Sequence, residues 1–107
     1  MTTPNYQAIY EEALESAKKA EQEYFDKHGE PFYCGFAWVH IYNGRHPFVN
    51  WCKKNGVGKK HWQKGWLIWN PTDNGTQSMD IKEQGSLAFE RVLEQYGIPA
   101  MACSRAD

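Results

Sequence analysis

Residues 33–42 (YCGFAWVHIY) leave the chain little choice of architecture. Their side chains sort into two sets by strict alternation, the period of an extended strand. Gly35, Ala37, Val39 and Ile41 fall on one face, and Cys34, Phe36, Trp38, His40 and Tyr42 on the other. Both faces are largely apolar, which is the pattern of a central strand covered by other elements. The small residues of the first face let a helix approach closely. The aromatic face has two readings. It is either a second core layer or a stacking platform of the kind found on sheets that bind single strands.

Helices and further strands follow from the periodicity on either side. Thr3 followed by Pro4 marks a helix start. From there Tyr6, Ile9, Tyr10, Ala13, Leu14, Ala17, Ala20, Tyr24 and Phe25 recur at steps of three and four, with Glu11, Glu12, Glu15, Lys18, Lys19 and Glu23 on the opposite side. His28-Gly29 ends this helix, and Pro31 lies just beyond. After a turn at Asn43-Gly44, His46-Pro47 opens a short helix through Lys54 that stops at Asn55-Gly56. Phe48, Trp51 and Cys52 share its inner side. Residues 56–65 read as a basic loop whose three glycines leave its lysines mobile. Trp66-Leu67-Ile68-Trp69 is a second strand, with its two indoles on opposite faces. Asp80 and Glu83 form a capping box for a last helix, with Ile81, Ala88, Val92 and Tyr96 as its stripe and Gly97-Ile98-Pro99 as its stop. Residues 100–103 read as a third strand.

The fold expected from this order, αβαβαβ, is α+β or small α/β. It is a single domain over residues 1–107 with a three-stranded sheet, an N-terminal amphipathic helix in residues 1–30, and two crossover helices in the core of residues 31–107. Where consecutive strands are neighbours, crossover helices make them parallel and right-handed. A chain of 107 residues is long enough for one core and too short for two.

Charge is unevenly distributed. The net charge of −1 conceals a middle segment, residues 43–69, with six bases (Arg45, Lys53, Lys54, Lys59, Lys60, Lys64) and no acid. The same segment holds Trp51, Trp62, Trp66 and Trp69, whereas acids outnumber bases before and after it. Cations neutralise phosphates and indoles stack on bases, so the mixture suits a nucleotide or nucleic acid. The candidate ligand-binding residues are Arg45, Lys53, Lys54, Lys59, Lys60, His61, Trp62 and Lys64, with Trp38 and Trp66 as possible stacking rings. Trp51 is assigned to the core, and Trp62, in the loop, is the indole best placed for a ligand or partner.

Several chemistries are excluded or disfavoured. Gly56-Val57-Gly58-Lys59-Lys60 fails the phosphate-loop pattern in spacing and in its missing hydroxyl residue. Cys34, Cys52 and Cys103 are odd in number and widely spaced, which argues against a disulfide framework and favours buried thiols. With His40, His46 and His61 they match no zinc spacing. No carboxylate pair and no serine elbow points to catalysis, and His40 reads as a satisfied core residue. No metal or cofactor is expected. The chain lacks an apolar run of membrane-spanning length and a signal-peptide layout, so a cytoplasmic location is expected.

The segments GFAWVHI, KGWLIWNP, QSMDIKEQGSLAFERVLEQYGI and SRAD resemble a family of small proteins from tailed bacteriophages and prophages, one with no assigned activity. That resemblance implies the cytoplasm of an infected host and partners among host factors, phage nucleic acid or nucleotide signals. The expected function is therefore a small non-enzymatic binding protein that captures a phosphate-bearing ligand through its basic, Trp-containing loop. The alternative is a protein-interaction module, inhibiting a host factor or forming a homo-oligomer through the N-terminal helix. An enzyme is a third possibility.

Overall fold

The computed structural model describes residues 4–31 and 33–107. Its elements run α1 (Tyr6–His28), β1 (Gly35–Ile41), α2 (Pro47–Asn55), β2 (Lys59–Lys60), β3 (Trp66–Trp69), α3 (Met79–Gln95) and β4 (Met101–Ala106). The result is one α+β domain of three helices and a four-stranded antiparallel sheet in the order β2-β3-β1-β4.

The sheet has four strands where the sequence suggests three. The extra one, β2, is two exposed lysines that lack any β-forming side chain, so it reads as loop until its partner β3 is in place. Its presence changes the topology. β1 and β3 are neighbours but antiparallel, with Trp38 opposite Trp69 and Ile41 opposite Trp66. A crossover through α2 joins β1 to β2, which run in the same direction with β3 between them. A second crossover through α3 joins β3 to β4, with β1 between them. This is the split β-α-β arrangement. Each crossover helix thus links parallel strands that are not adjacent, and the parallel neighbours expected from the sequence do not occur.

Helix boundaries follow local chemistry. Thr3 lies outside the described residues, and Asn5 caps α1 by accepting from the Ala8 N–H at 3.1 Å. Gly29 closes it at positive φ. His46 caps α2 through its Nδ1, which accepts from the Phe48 N–H at 3.0 Å, with Pro47 in the first turn. Ser78, and not the anticipated Asp80, caps α3 through its hydroxyl, leaving Asp80 inside the first turn. The C-terminal stop of α3 is as expected, with the Ile98 and Gly97 N–H groups returning to Leu93 and Glu94. β4 runs to Ala106, beyond the expected residue 103, because β1 offers it a full-length partner from Gly35 to His40.

The core lies between the helices and one sheet face. Val39, Ile41 and Ile68 from the sheet meet Phe48, Val49 and Cys52 from α2 and Phe89, Val92 and Leu93 from α3. α1 adds Ile9, Ala13 and Ala17 to the same core, so its apolar row is consumed within the monomer. It lies antiparallel to α3, since Glu12 accepts from the Tyr96 hydroxyl at 2.6 Å while Glu21 packs on Gly85. Full burial of each large apolar side chain contributes about 1.5–3 kcal/mol relative to exposure. On the other sheet face Trp38 and His40 are buried, with Trp62 and His61 of the β2–β3 hairpin against them.

Candidate functional site

Four of the six bases in the central segment converge. Arg45, Lys53, Lys60 and Lys64 line a concavity of about 860 Å³ with Tyr42 and Trp66. They arrive from three places: the turn after β1, the second half of α2, and the β2–β3 hairpin. Closure of this arrangement depends on Gly65. Its φ is +84°, and a Cβ there would stand 2.2 Å from the Ile41 carbonyl oxygen. Only glycine lets the hairpin return so close to the end of β1. Lys53 is partly tethered, with Nζ donating to the Gly44 carbonyl at 3.3 Å and lying 5.6 Å from the Trp66 ring. Arg45, Lys60 and Lys64 are exposed. The segment contains no acid, so their field meets no compensating charge along its own length.

The remaining candidates fall elsewhere. Lys54 is exposed on α2 and does not line the concavity. Lys59 is held in β2 rather than in a mobile loop, and its Nζ lies 5.7 Å from the Trp69 ring. Trp66 is half-buried against the core with its indole N–H donating to the Val57 carbonyl at 2.9 Å, so it walls the concavity rather than offering a free stacking face. Trp51 packs on Tyr10 and Phe48 as a partly buried ring, in keeping with its core assignment.

The sheet face away from the helices carries a continuous file of rings. Phe36, Trp38 and His40 from β1 share it with Trp69 from β3, and His61, Trp62 and Tyr42 extend it. Successive centroids lie 5.5 Å apart from Phe36 to Trp69, 5.4 Å from Trp69 to Trp38, and 5.6 Å from Trp38 to Trp62. The file continues at 4.0 Å from Trp62 to His61, 3.7 Å from His61 to His40, and 4.1 Å from His40 to Tyr42. Trp38 is only 8% exposed, yet Trp62 is 64%, Tyr42 55% and Trp69 40% exposed. Cations flank the file. Besides Lys59, Arg105 and Lys82 lie 5.8 and 5.5 Å from the Phe36 ring. Tyr42 belongs to both features, so the ring file ends at the cationic concavity.

His40 and His61 are both buried and stack nearly parallel. His40 Nε2 contacts the Lys64 carbonyl at 2.7 Å, where it acts as donor. His61 Nδ1 accepts from the Gln63 N–H at 3.0 Å and more weakly from the Lys64 N–H at 3.4 Å. Burial, and secondarily His40, lowers the His61 pKa below its ordinary value. A neutral His61 is therefore part of what holds the Trp62 loop. Burial pushes the Cys52 thiol up to about 12, which leaves it without nucleophilic thiolate at neutral pH. Among the described residues no group of three His, Cys, Asp or Glu side chains is placed to hold a metal.

One buried carboxylate escapes sequence reasoning. Glu21 is 4% exposed and accepts from the Thr72 hydroxyl at 2.7 Å and the Asn74 amide at 3.2 Å. Burial raises its pKa, and those two hydrogen bonds pull it back. It sits beside a second concavity, of about 610 Å³, across which Thr76 bonds to Glu30. A signal was present. Ala13, Ala17 and Glu21 form a strict i, i+4 row, which places Glu21 on the buried side.

No family model, curated protein or solved structure matches the chain. Among the described residues no helix is long and apolar enough to cross a membrane.

Proposed function

We propose that the protein is a non-enzymatic binding protein that captures a phosphate-bearing ligand, a nucleotide or nucleic acid. The observation that carries this reading is the convergence of Arg45, Lys53, Lys60 and Lys64 on one concavity walled by Tyr42 and Trp66. Like charges gather this closely at a cost in mutual repulsion, which a bound polyanion relieves. The resemblance to small phage proteins agrees with a role in host cytoplasm, acting on phage nucleic acid or a nucleotide signal.

A panel of nucleotides and oligonucleotides, measured at two salt concentrations, tests the reading. Four phosphate contacts give a slope of log K against log salt of roughly −3.6 on duplex DNA and −2.8 on single strands. Replacing Arg45 or Lys64 by alanine should flatten that slope by about one contact. An absence of binding to every member at low salt ends the proposal.

A further inference from the structure

Resting on that reading, we infer that the ligand is single-stranded nucleic acid, and that its bases lie on the exposed rings of the aromatic sheet face while its backbone enters the cationic concavity. Three features of the face select this occupant. First, the exposed rings run between cations: Lys59 beside Trp69, then Trp62, then Tyr42 at the concavity of Arg45, Lys60 and Lys64. A single strand offers flat rings and anions together, whereas a duplex hides the faces of its bases. Second, none of the four strands contains an acidic residue, so the sheet opposes a polyanion with no fixed negative side chain. Third, the indole N–H of Trp38 is buried without a hydrogen-bond partner in the middle of the ring file. Buried donors are normally satisfied, and this one lies between the rings of Trp69 and Trp62 without an acceptor.

Trp62 stands edge-on to Trp38 from an exposed position, so a base would reach Trp38 only if the Trp62 side chain withdrew. The exposed rings Trp69, Trp62 and Tyr42 give a minimum footprint of about three nucleotides, one base per ring.

Fluorescence anisotropy with a labelled eight-nucleotide oligothymidylate tests this, with thymidine monophosphate, a trinucleotide and an eight-base-pair duplex as competitors. The octamer should bind at least about tenfold more tightly than the monophosphate or the duplex. Trp62→Ala and Trp69→Ala, both at exposed rings, should each weaken the octamer roughly 5- to 150-fold, the equivalent of one lost base stack. Trp62→Phe should recover part of that loss. If both alanine variants bind the octamer like the unaltered protein, the aromatic face is not the site and the inference falls. The broader reading survives that result if Arg45→Glu with Lys64→Glu abolishes binding. If no competitor or oligonucleotide binds at low salt, both fall together.

Discussion

The surroundings of His61 favour its neutral form. Its Nδ1 must stay unprotonated to accept from Gln63 and Lys64, and its ring lies 3.7 Å from that of His40. Its folded pKa is lowered from the ordinary 6.5. The unfolded chain therefore takes up the proton first as pH falls. The contribution of neutral His61 is fully present above about pH 6.5 and is withdrawn as the pH drops from there through the lowered folded value. Thermal stability should accordingly decline between pH 7.5 and 5.5. His61→Asn keeps an acceptor for the loop N–H groups but cannot titrate, so its melting temperature should decline less over the same interval. Equal declines in the two proteins would show that His61 does not carry the effect. At this scale the cationic residues were legible from charge alone, because nothing acidic interrupts them. The His40–His61 stack was not, since the two histidines lie on separate elements and only the β1–β3 pairing and the hairpin bring them together.

Elements show where local signals suffice and where they do not. α2 matches its sequence reading almost residue for residue, from the His46-Pro47 start to the left-handed Gly56, because both ends are fixed by adjacent side chains. β2 depends on partners six and eight residues away, Trp66 for Lys60 and Leu67 for Lys59, and carries no signal of its own. The contact between α1 and α3 is intermediate. Its apolar row was visible, but the clamp inside it was not. Glu21 lies so close to Gly85 that a Cβ there would stand 2.1 Å from the carboxylate oxygen. Gly85→Ala should therefore destabilise the protein by about 1–3 kcal/mol through overpacking, despite alanine's better helix propensity. Glu21→Ala should cost about 2–4 kcal/mol, since it opens a void and leaves the Thr72 hydroxyl and Asn74 amide without their acceptor. Glu21→Gln, which retains one acceptor oxygen, should cost clearly less. Chemical denaturation of the three variants measures these differences, and a Gly85→Ala protein as stable as the original would refute the close approach.

At the scale of the whole molecule the two sheet faces differ in composition. Gly35, Ala37, Val39 and Ile41 face the helices, as their small size suggested, while Phe36, Trp38 and His40 face outward. Alternation along β1 was enough to separate these sets. What the outer set becomes could not be read locally, because Trp69 and Trp62 join it only through antiparallel pairing and the hairpin that β2 creates. One free sheet edge is partly covered, the Ala102 N–H on β4 donating to Glu90 at 2.7 Å, which discourages edge-to-edge association. The acidic α1 packs on α3, and the basic concavity and the exposed rings Trp62, Trp69 and Tyr42 lie on other elements. The most direct test of this assignment is amide and indole chemical-shift mapping with oligothymidylate at low salt. The largest changes should fall at Tyr42, Arg45, Lys60, Lys64 and the Trp62 and Trp69 indoles, with α1 undisturbed. Changes confined to α1 and α3, or none at saturating oligonucleotide, would contradict it.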